Sequence, residues 1–383
     1  MDYDVVVAGA SVSGLLCARE IAKRGNSVLI VEEDSEIGTP EHCGGMISIS
    51  ALEELGIVPN RVTLDNQIES AEIFSPSGKS FVINSELQKV AVINRRSFDK
   101  QIARQAQRNG ADIRVKTSVK KIIGDKIITT DGDFKCKIIV DGRGVSSLIH
   151  RDRNGILHSA QFEVYADWIE SGKVEVYFDA EMYPGFFCWI IPIGSGHGKV
   201  GVAARAINAA SALEKFLLKK GRHFIVRKIF APIWIKGPIN NFVTKNIVTI
   251  GDAAGQTKPT TAGGIYSCGV GGILAGRAIS QFLESKDDSD LGNYQNNWQK
   301  KFGKEFNSML LARKLLERLD NKAIDSIFDS VTPKIIEDIS RSESFDFHTD
   351  AVIKLLGAKS SIKVAQTILG SELRKLFALV ERN

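Results

Sequence analysis

No stretch of the 383 residues approaches the ~18 consecutive apolar residues of a membrane span. The first residues, MDYDVVVAGAS, lack the basic start and small-residue cleavage site of a secretory leader. Cysteine is sparse: Cys17, Cys43, Cys136, Cys188 and Cys268 are odd in number, scattered and free of metal-ligand spacing, which argues against a disulfide framework or a zinc site. The net charge of +5 is too small to mark a nucleic-acid surface, although it suits a phosphate-bearing ligand or an anionic membrane. No internal repeat or low-complexity tract interrupts the chain. What is present is ordinary for a soluble protein of two or three domains, with 43% hydrophobic and 25% charged residues. The expectation is a cytoplasmic protein without a nucleic-acid partner, with peripheral contact to a membrane left open.

The N-terminus reads as a βαβ unit. DYDVVVAGA is a short apolar strand ending in glycine. SVSGLLCAREIAKRG is a helix with Leu15, Leu16, Ala18, Ile21 and Ala22 on its buried side, closed by Gly25. NSVLIVEED is a second strand. Between strand and helix stands a glycine fingerprint, Gly9, Ser11 and Gly14, with serine in place of the central glycine. Gly9 suits the tight turn, Gly14 close helix–strand packing, and Ser11 still lets a phosphate approach the helix N-terminus. Glu32 ends the second strand and can accept hydrogen bonds from a ribose 2′-hydroxyl. An ordinary α/β unit with a small-residue turn remains the alternative.

Three later stretches repeat the theme. NRRSFDKQIARQAQRNG (94–110) reads as a helix opened by two arginines. KCKIIVDGRGVSS (135–147) and KNIVTIGDAAG (245–255) are buried strands ending in Asp141-Gly142 and Gly251-Asp252. Carboxylates and glycines at strand ends face the crevice where open α/β sheets bind ligands. The second of these runs on into GDAAGQTKPTTAGGI (251–265), whose glycine pair opens a helix over 265–285.

This order of features resembles the FAD domain of glutathione-reductase type, in the arrangement of the para-hydroxybenzoate hydroxylase fold. The resemblance rests on Gly9, Gly14 and Glu32, on Arg95 before SFD, on Asp141-Gly142 and on Gly251-Asp252. It implies that Gly9, Ser11, Ser13, Gly14 and Glu32 hold the adenosine and pyrophosphate part of FAD, with Val119 meeting the adenine through its backbone. It implies Arg95 on the flavin side, Asp252 at the ribityl chain and pyrophosphate, and Gly263, Gly264 and Ile265 at a helix N-terminus aimed at the flavin, where the dipole stabilises the reduced ring.

The middle of the same stretch narrows the likeness. GDAAG, then KPTT, then a glycine pair and Ile resemble the pattern of the geranylgeranyl reductase family. EHCGGMIS (41–48) resembles the family's Cys-Gly segment beside the flavin, and FFCWIIPIGSGHGKVGVA (186–203) its aromatic-x-Trp-x-Phe-Pro motif. The match departs at Ile191, where the family has Phe, and at Ala203, where it has Gly. The family reduces isolated double bonds of isoprenoid chains with reduced flavin, so the resemblance implies an FAD-dependent oxidoreductase acting on an isoprenoid lipid. Phe187, Trp189 and Ile191 alternate on one strand face, fit either to line a dry tunnel or simply to pack a core. Cys43 is placed to position the alkene or relay a proton, and Gly44 and Gly45 let the backbone approach the ring; a small buried hydrophobe is the plainer role for Cys43. His42 has no assigned role, and Pro259, Thr260 and Thr261 form the other stretch expected at the flavin edge.

The expected architecture is α/β, with a discontinuous FAD domain (1–58, 92–145 and 245–285) interleaved with an antiparallel-sheet substrate domain (59–91 and 146–244). Residues 286–383 form a helical C-terminal region, including HTDAVIKLLG. The stretch 211–237 mixes Lys215, Lys219, Lys220, Arg222, Arg227 and Lys228 with Phe, Ile and Trp. It reads as a solvated helix feeding a core strand, or as a patch that meets lipid phosphate or an anionic bilayer. No second dinucleotide fingerprint follows a strand, so the expected electron donor is a ferredoxin or similar partner rather than tightly bound NADPH. A flavin-dependent monooxygenase or halogenase shares the fold and remains the alternative; halogenases carry a related Trp-x-Trp-x-Ile-Pro motif.

Overall fold

A computed structural model describes residues 2–85, 89–149, 152–341 and 345–346. An eight-stranded sheet contains β1 (Tyr3–Ala8), β2 (Val28–Val31), β8 (Asp112–Arg114), the hairpin β9 (Val119–Ile123) and β10 (Lys126–Thr129), β11 (Gly132–Asp141), β17 (Val243–Thr244) and β18 (Ile247–Thr249). Its path is β17-β18-β11-β1-β2-β8, and the pairs β18–β11, β11–β1, β1–β2 and β2–β8 are parallel. Strands covered on both faces need continuous apolar runs, and DVVVA and VLIV supply them with every valine, leucine and isoleucine buried.

Helix α1 (Val12–Ala22) follows β1 and packs on α6 (Ile265–Ser285). The two helices meet backbone to backbone, because a Cβ added at Gly272 or Gly276 would lie 2.1 Å from the Ser13 carbonyl or 2.5 Å from the Cys17 carbonyl. Helix α7 (Ser289–Leu316) lies along α6 with Tyr294, Trp298, Phe302 and Phe306 buried against it. Two short helices, α8 (Asn321–Asp329) and α9 (Pro333–Ser340), follow, and α9 packs on strand β6 (Ser80–Asn84). The HTDAVIKLLG segment lies outside the described residues.

The second sheet has seven strands in the order β16-β12-β15-β14-β13-β5-β6. They are β5 (Ser70–Phe74), β6 (Ser80–Asn84), β12 (Ile156–Tyr165), β13 (Lys173–Tyr177), β14 (Cys188–Gly194), β15 (His197–Ala204) and β16 (Phe224–Trp234). All its pairs are antiparallel except β5–β13, where chain segments a hundred residues apart come together. A third sheet of β3 (Met46–Ser48), β4 (Leu64–Ile68) and β7 (Val90–Ile93) leads into helix α3 (Arg95–Arg108). Helix α5 (Ala209–Lys220) covers one face of the seven-stranded sheet, over Phe162, Val164, Ile190, Val200 and Val202. The strand after α5, β16, is not in the core: it is the sheet's edge, exposed at every second residue from Phe224 to Pro232.

Candidate active site

The ends of β1, β2, β11 and β18 converge on a crevice. Gly9 has φ +104°, and a Cβ there would stand 2.4 Å from the Gly142 carbonyl; one at Gly14 would stand 2.0 Å from the Gly9 carbonyl. Glu32 accepts from the Ala10 amide at 2.6 Å and the Asp34 amide at 3.0 Å, and burial raises its pKa. Ser11 begins α1 without a side-chain cap, and its hydroxyl lies 3.3 Å from that of Ser13, which is buried under Gly251. The Thr117 amide donates to the Glu32 carbonyl at 2.7 Å, so Val119 starts its strand beside the end of β2. Asp141 is clasped by Arg143 at 2.9 Å through both oxygens; burial raises its pKa, but the guanidinium outweighs this and lowers it.

At the far end, Asp252 accepts from the Thr257 hydroxyl and, at 3.5 Å, from the Cys268 thiol. Gly263 and Gly264 precede Ile265, the first residue of α6, and no side chain caps this helix. The segment between closes on itself: the Ala262 amide donates to the Lys258 carbonyl at 2.9 Å and the Lys258 amide to the Gly263 carbonyl at 3.1 Å. The Thr260 hydroxyl within it is buried with no hydrogen-bond partner among the described residues. Two helix N-termini without side-chain caps, a main-chain glycine cradle, the Glu32 carboxylate at the end of β2 and the unpartnered Thr260 hydroxyl together fit a phosphate-linked cofactor such as FAD.

The Cys43 loop joins the crevice to the seven-stranded sheet. Gly45, at φ +87°, would put a Cβ 2.6 Å from the Ile93 carbonyl, and one at Gly44 would strike the Ile191 side chain at 2.6 Å. Cys43 is half-buried, and its sulfur accepts from the Gly45 amide at 3.4 Å. Arg95, at the start of α3, is held by Asp99 through Nε at 3.1 Å and Nη2 at 2.8 Å and lies beside the Cys43 thiol. Burial alone would lower the Arg95 pKa; Asp99 and Cys43 outweigh it and raise it. Trp189 and Ile191 share one face of β14, and Cys188 and Ile190 lie on the other under α5. Phe187 precedes the strand; it stacks on Phe186 at 4.2 Å and meets Trp189 edge-on at 6.1 Å. The Trp189 indole N–H donates to Gln161 Oε1 at 3.2 Å, and Ala262 packs into the same cluster. Three separate motifs therefore meet at one place. His42 Nδ1 lies 2.9 Å from the Pro40 carbonyl, within its own turn.

Residues 2–130 match the family described as FAD binding domain. The digeranylgeranylglycerophospholipid reductase of Methanocaldococcus jannaschii is 31% identical over 365 residues, covering 86% of this chain and 90% of that protein. Digeranylgeranylglycerophospholipid reductase 2 of Methanothermobacter thermautotrophicus is 30% identical over 369 residues, covering 89% and 94%. The chain belongs to the geranylgeranyl reductase family. Among solved structures, a geranylgeranyl bacteriochlorophyll reductase-like protein from Thermoplasma acidophilum superposes at TM-score 0.85 with 24% identity, covering 98% of this chain and 99% of that one. A flavin-dependent brominase superposes at 0.67 with 18% identity, covering 97% and 99%, which reflects the shared fold.

This geranylgeranyl reductase family member also carries a charged network that the motifs did not announce. Lys199, 2% exposed, donates to Glu41 at 2.9 Å and to the Cys43 carbonyl at 3.3 Å. Arg227 reaches Glu41 at 3.0 Å and Glu163 at 2.6 Å, and Glu163 contacts His197 at 2.9 Å. Burial pushes the Glu41 pKa up, but Lys199 and Arg227 outweigh it and hold it below 4.5. The signal in the sequence was a lysine within the buried strand HGKVGVAA. Helix α7 braces the crevice from behind: the Tyr294 hydroxyl donates to the Thr249 carbonyl at 2.9 Å, and the Trp298 indole N–H to the Ser267 carbonyl at 3.1 Å.

Proposed function

We propose that this protein reduces C=C bonds in the geranylgeranyl chains of a membrane-lipid precursor. The observation that carries the reading is the meeting of the Cys43–Gly44 loop, the Trp189–Ile191 face and Ala262 beside the FAD crevice. Relatives named as digeranylgeranylglycerophospholipid reductases support the substrate class.

An isolated alkene carries no carbonyl to polarise it; bound FAD, once reduced, supplies the hydride. The chain must hold the alkene, exclude water and bring a proton to the second carbon. Phe187, Trp189 and Ile191 supply the apolar face, and Cys43 Sγ is the proton-relaying atom. Lys199 fixes the loop through the Cys43 carbonyl, and Arg95 through the thiol side. Gly9, Ser11, Ser13, Gly14, Glu32 and Val119 take the adenosine and pyrophosphate end. Arg95, Asp252, Gly44, Gly45, Gly263, Gly264 and Ile265 take the flavin end. The electron donor is a ferredoxin or similar protein, and contact with the membrane is peripheral; no described helix is long and apolar enough to cross one.

The test is anaerobic incubation of dithionite-reduced protein with digeranylgeranylglycerophospholipid, followed by mass spectrometry. A gain of H2 per reduced bond is expected. Unchanged lipid, with an oxygenated or halogenated product once air and halide are admitted, would overturn the reading in favour of a monooxygenase or halogenase.

A further inference from the structure

The edge strand β16 is an unusual surface. Edge strands are normally blunted, and large apolar groups on them are avoided. Here Phe224 is 68% exposed and Phe230 59%, with Val226 between them; Leu218, at the end of α5, is 74% exposed. Tyr165, paired with Phe224 across the sheet, is also exposed. The same segment is basic: Glu214 is its one acid between residues 209 and 236, and of its seven cations Lys220, Arg227 and Lys236 are paired with Glu175, with Glu41 and Glu163, and with Asp152 on other elements. Glu214 is already matched to Lys228 at 2.7 Å, and exposed Lys215, Lys219 and Arg222 form no ion pair among the described residues.

We propose that this edge, β16 with the end of α5, seats the protein on an anionic lipid bilayer. Interleaved cations and large apolar side chains suit an interface with anionic head groups above and acyl chains below. A second copy of the chain fits poorly. Pro232 lacks the N–H that strand pairing needs, the register is broken by a bulge beside Glu163, and pairing two copies would bring like charges together. Position also favours lipid. β16 carries Arg227 inward to Glu41, two residues from Cys43, so the edge lies next to the candidate chain site. The surface rests on the reading of the substrate as a bilayer lipid.

Flotation of the FAD-loaded full chain with phosphatidylcholine vesicles, with and without phosphatidylglycerol, tests it. Binding is expected to the anionic vesicles only and to weaken with salt. Each basic residue near an anionic surface contributes about fivefold, so Lys215→Glu/Lys219→Glu/Arg222→Glu should weaken binding by about a hundredfold or more. Phe224→Ser/Phe230→Ser should also weaken it, with salt dependence kept. Both variants should reduce detergent-dispersed lipid with dithionite at the wild-type rate. Wild-type vesicle binding in both variants would overturn the proposal. So would light scattering that shows a dimer lost in the Phe variant without any vesicle binding, or vesicle binding kept while only an acidic protein donor ceases to couple. Flotation needs no turnover, so absence of lipid reduction in detergent would count against the reductase reading and leave the docking result intact.

Discussion

Gly201 lies beneath the indole of Trp189, and replacing it with alanine is a direct test of where that ring sits. The new Cβ would stand 2.3 Å from Cζ2, 2.4 Å from Cε2 and 2.7 Å from Nε1. Carbon contacts settle at about 3.5–4.0 Å, so the ring must retreat by roughly 1.2 Å or more. Gly201 is held in register with Trp189 on one side and Gln161 on the other, so the side chain moves and not the sheet. That movement breaks the 3.2 Å bond to Gln161. Overpacking costs about 1–3 kcal/mol and the lost bond about 1 kcal/mol. Unfolding entropy of ~2.1 cal/mol/K per residue over 383 residues gives ~0.8 kcal/mol/K, hence a fall in Tm of about 3–5 °C. Gly201→Ala should keep FAD, because the residue lies outside the Gly9–Glu32 crevice, yet lose about tenfold or more in long-chain reduction. Trp189→Ala removes both the clash and the bond, so the double variant should be less damaged than the sum of the singles by about 2–4 kcal/mol. Calorimetry of the holoprotein and turnover on a geranylgeranyl lipid read both effects. Wild-type Tm and turnover in Gly201→Ala, or strict additivity in the double variant, would refute the placement.

Glu32→Ala leaves the Ala10 and Asp34 amides without their acceptor, and FAD affinity should fall by about 2–4 kcal/mol in a fluorescence titration; unchanged affinity would remove Glu32 from the crevice. Glu41 contributes stability that is present above its ordinary 4.5 and is lost as pH falls through its depressed native value. The Tm difference between wild type and Glu41→Gln should therefore be largest near neutral pH and shrink in acid; a difference independent of pH would contradict the pairing with Lys199 and Arg227. Cys43→Ala removes little volume, so Tm should stay within about 2 °C while lipid reduction falls about a hundredfold if the thiol relays the proton; a wild-type rate with reduced flavin would discard that role.

The parts of the fold that could be read from the sequence are those encoded by neighbours in the chain. The β1–α1–β2 unit and the helix from Ile265 to Ser285 were legible because strand, glycine turn and amphipathic helix follow one another directly. The candidate site was legible only where motifs named residues. Nothing local tells Lys199 that its partner is Glu41, 158 residues away, nor Arg227 that it shares that carboxylate from 186 residues away. The spacing of Tyr294, Trp298, Phe302 and Phe306 says that one face of α7 is buried, but not that it lies behind the Gly251–Gly264 stretch. For β16, the Phe, Ile and Trp content suggested a core strand, because alternation alone does not distinguish a strand inside a sheet from one at its margin.

The contact of α1 with α6 has a consequence for how this protein can change over time. At Gly272 and Gly276 main chain rests on main chain, with no side chain between them. The distance between the two helix N-termini is thus a gauge set by peptide geometry, and no rotamer can widen or narrow it. Side chains around that gauge are free to drift as long as the two glycines stay. The spacing is therefore insensitive to which side chains surround it. It also confines the tolerance: a single methyl at either glycine would press on the Ser13 or Cys17 carbonyl and pry the two helices apart.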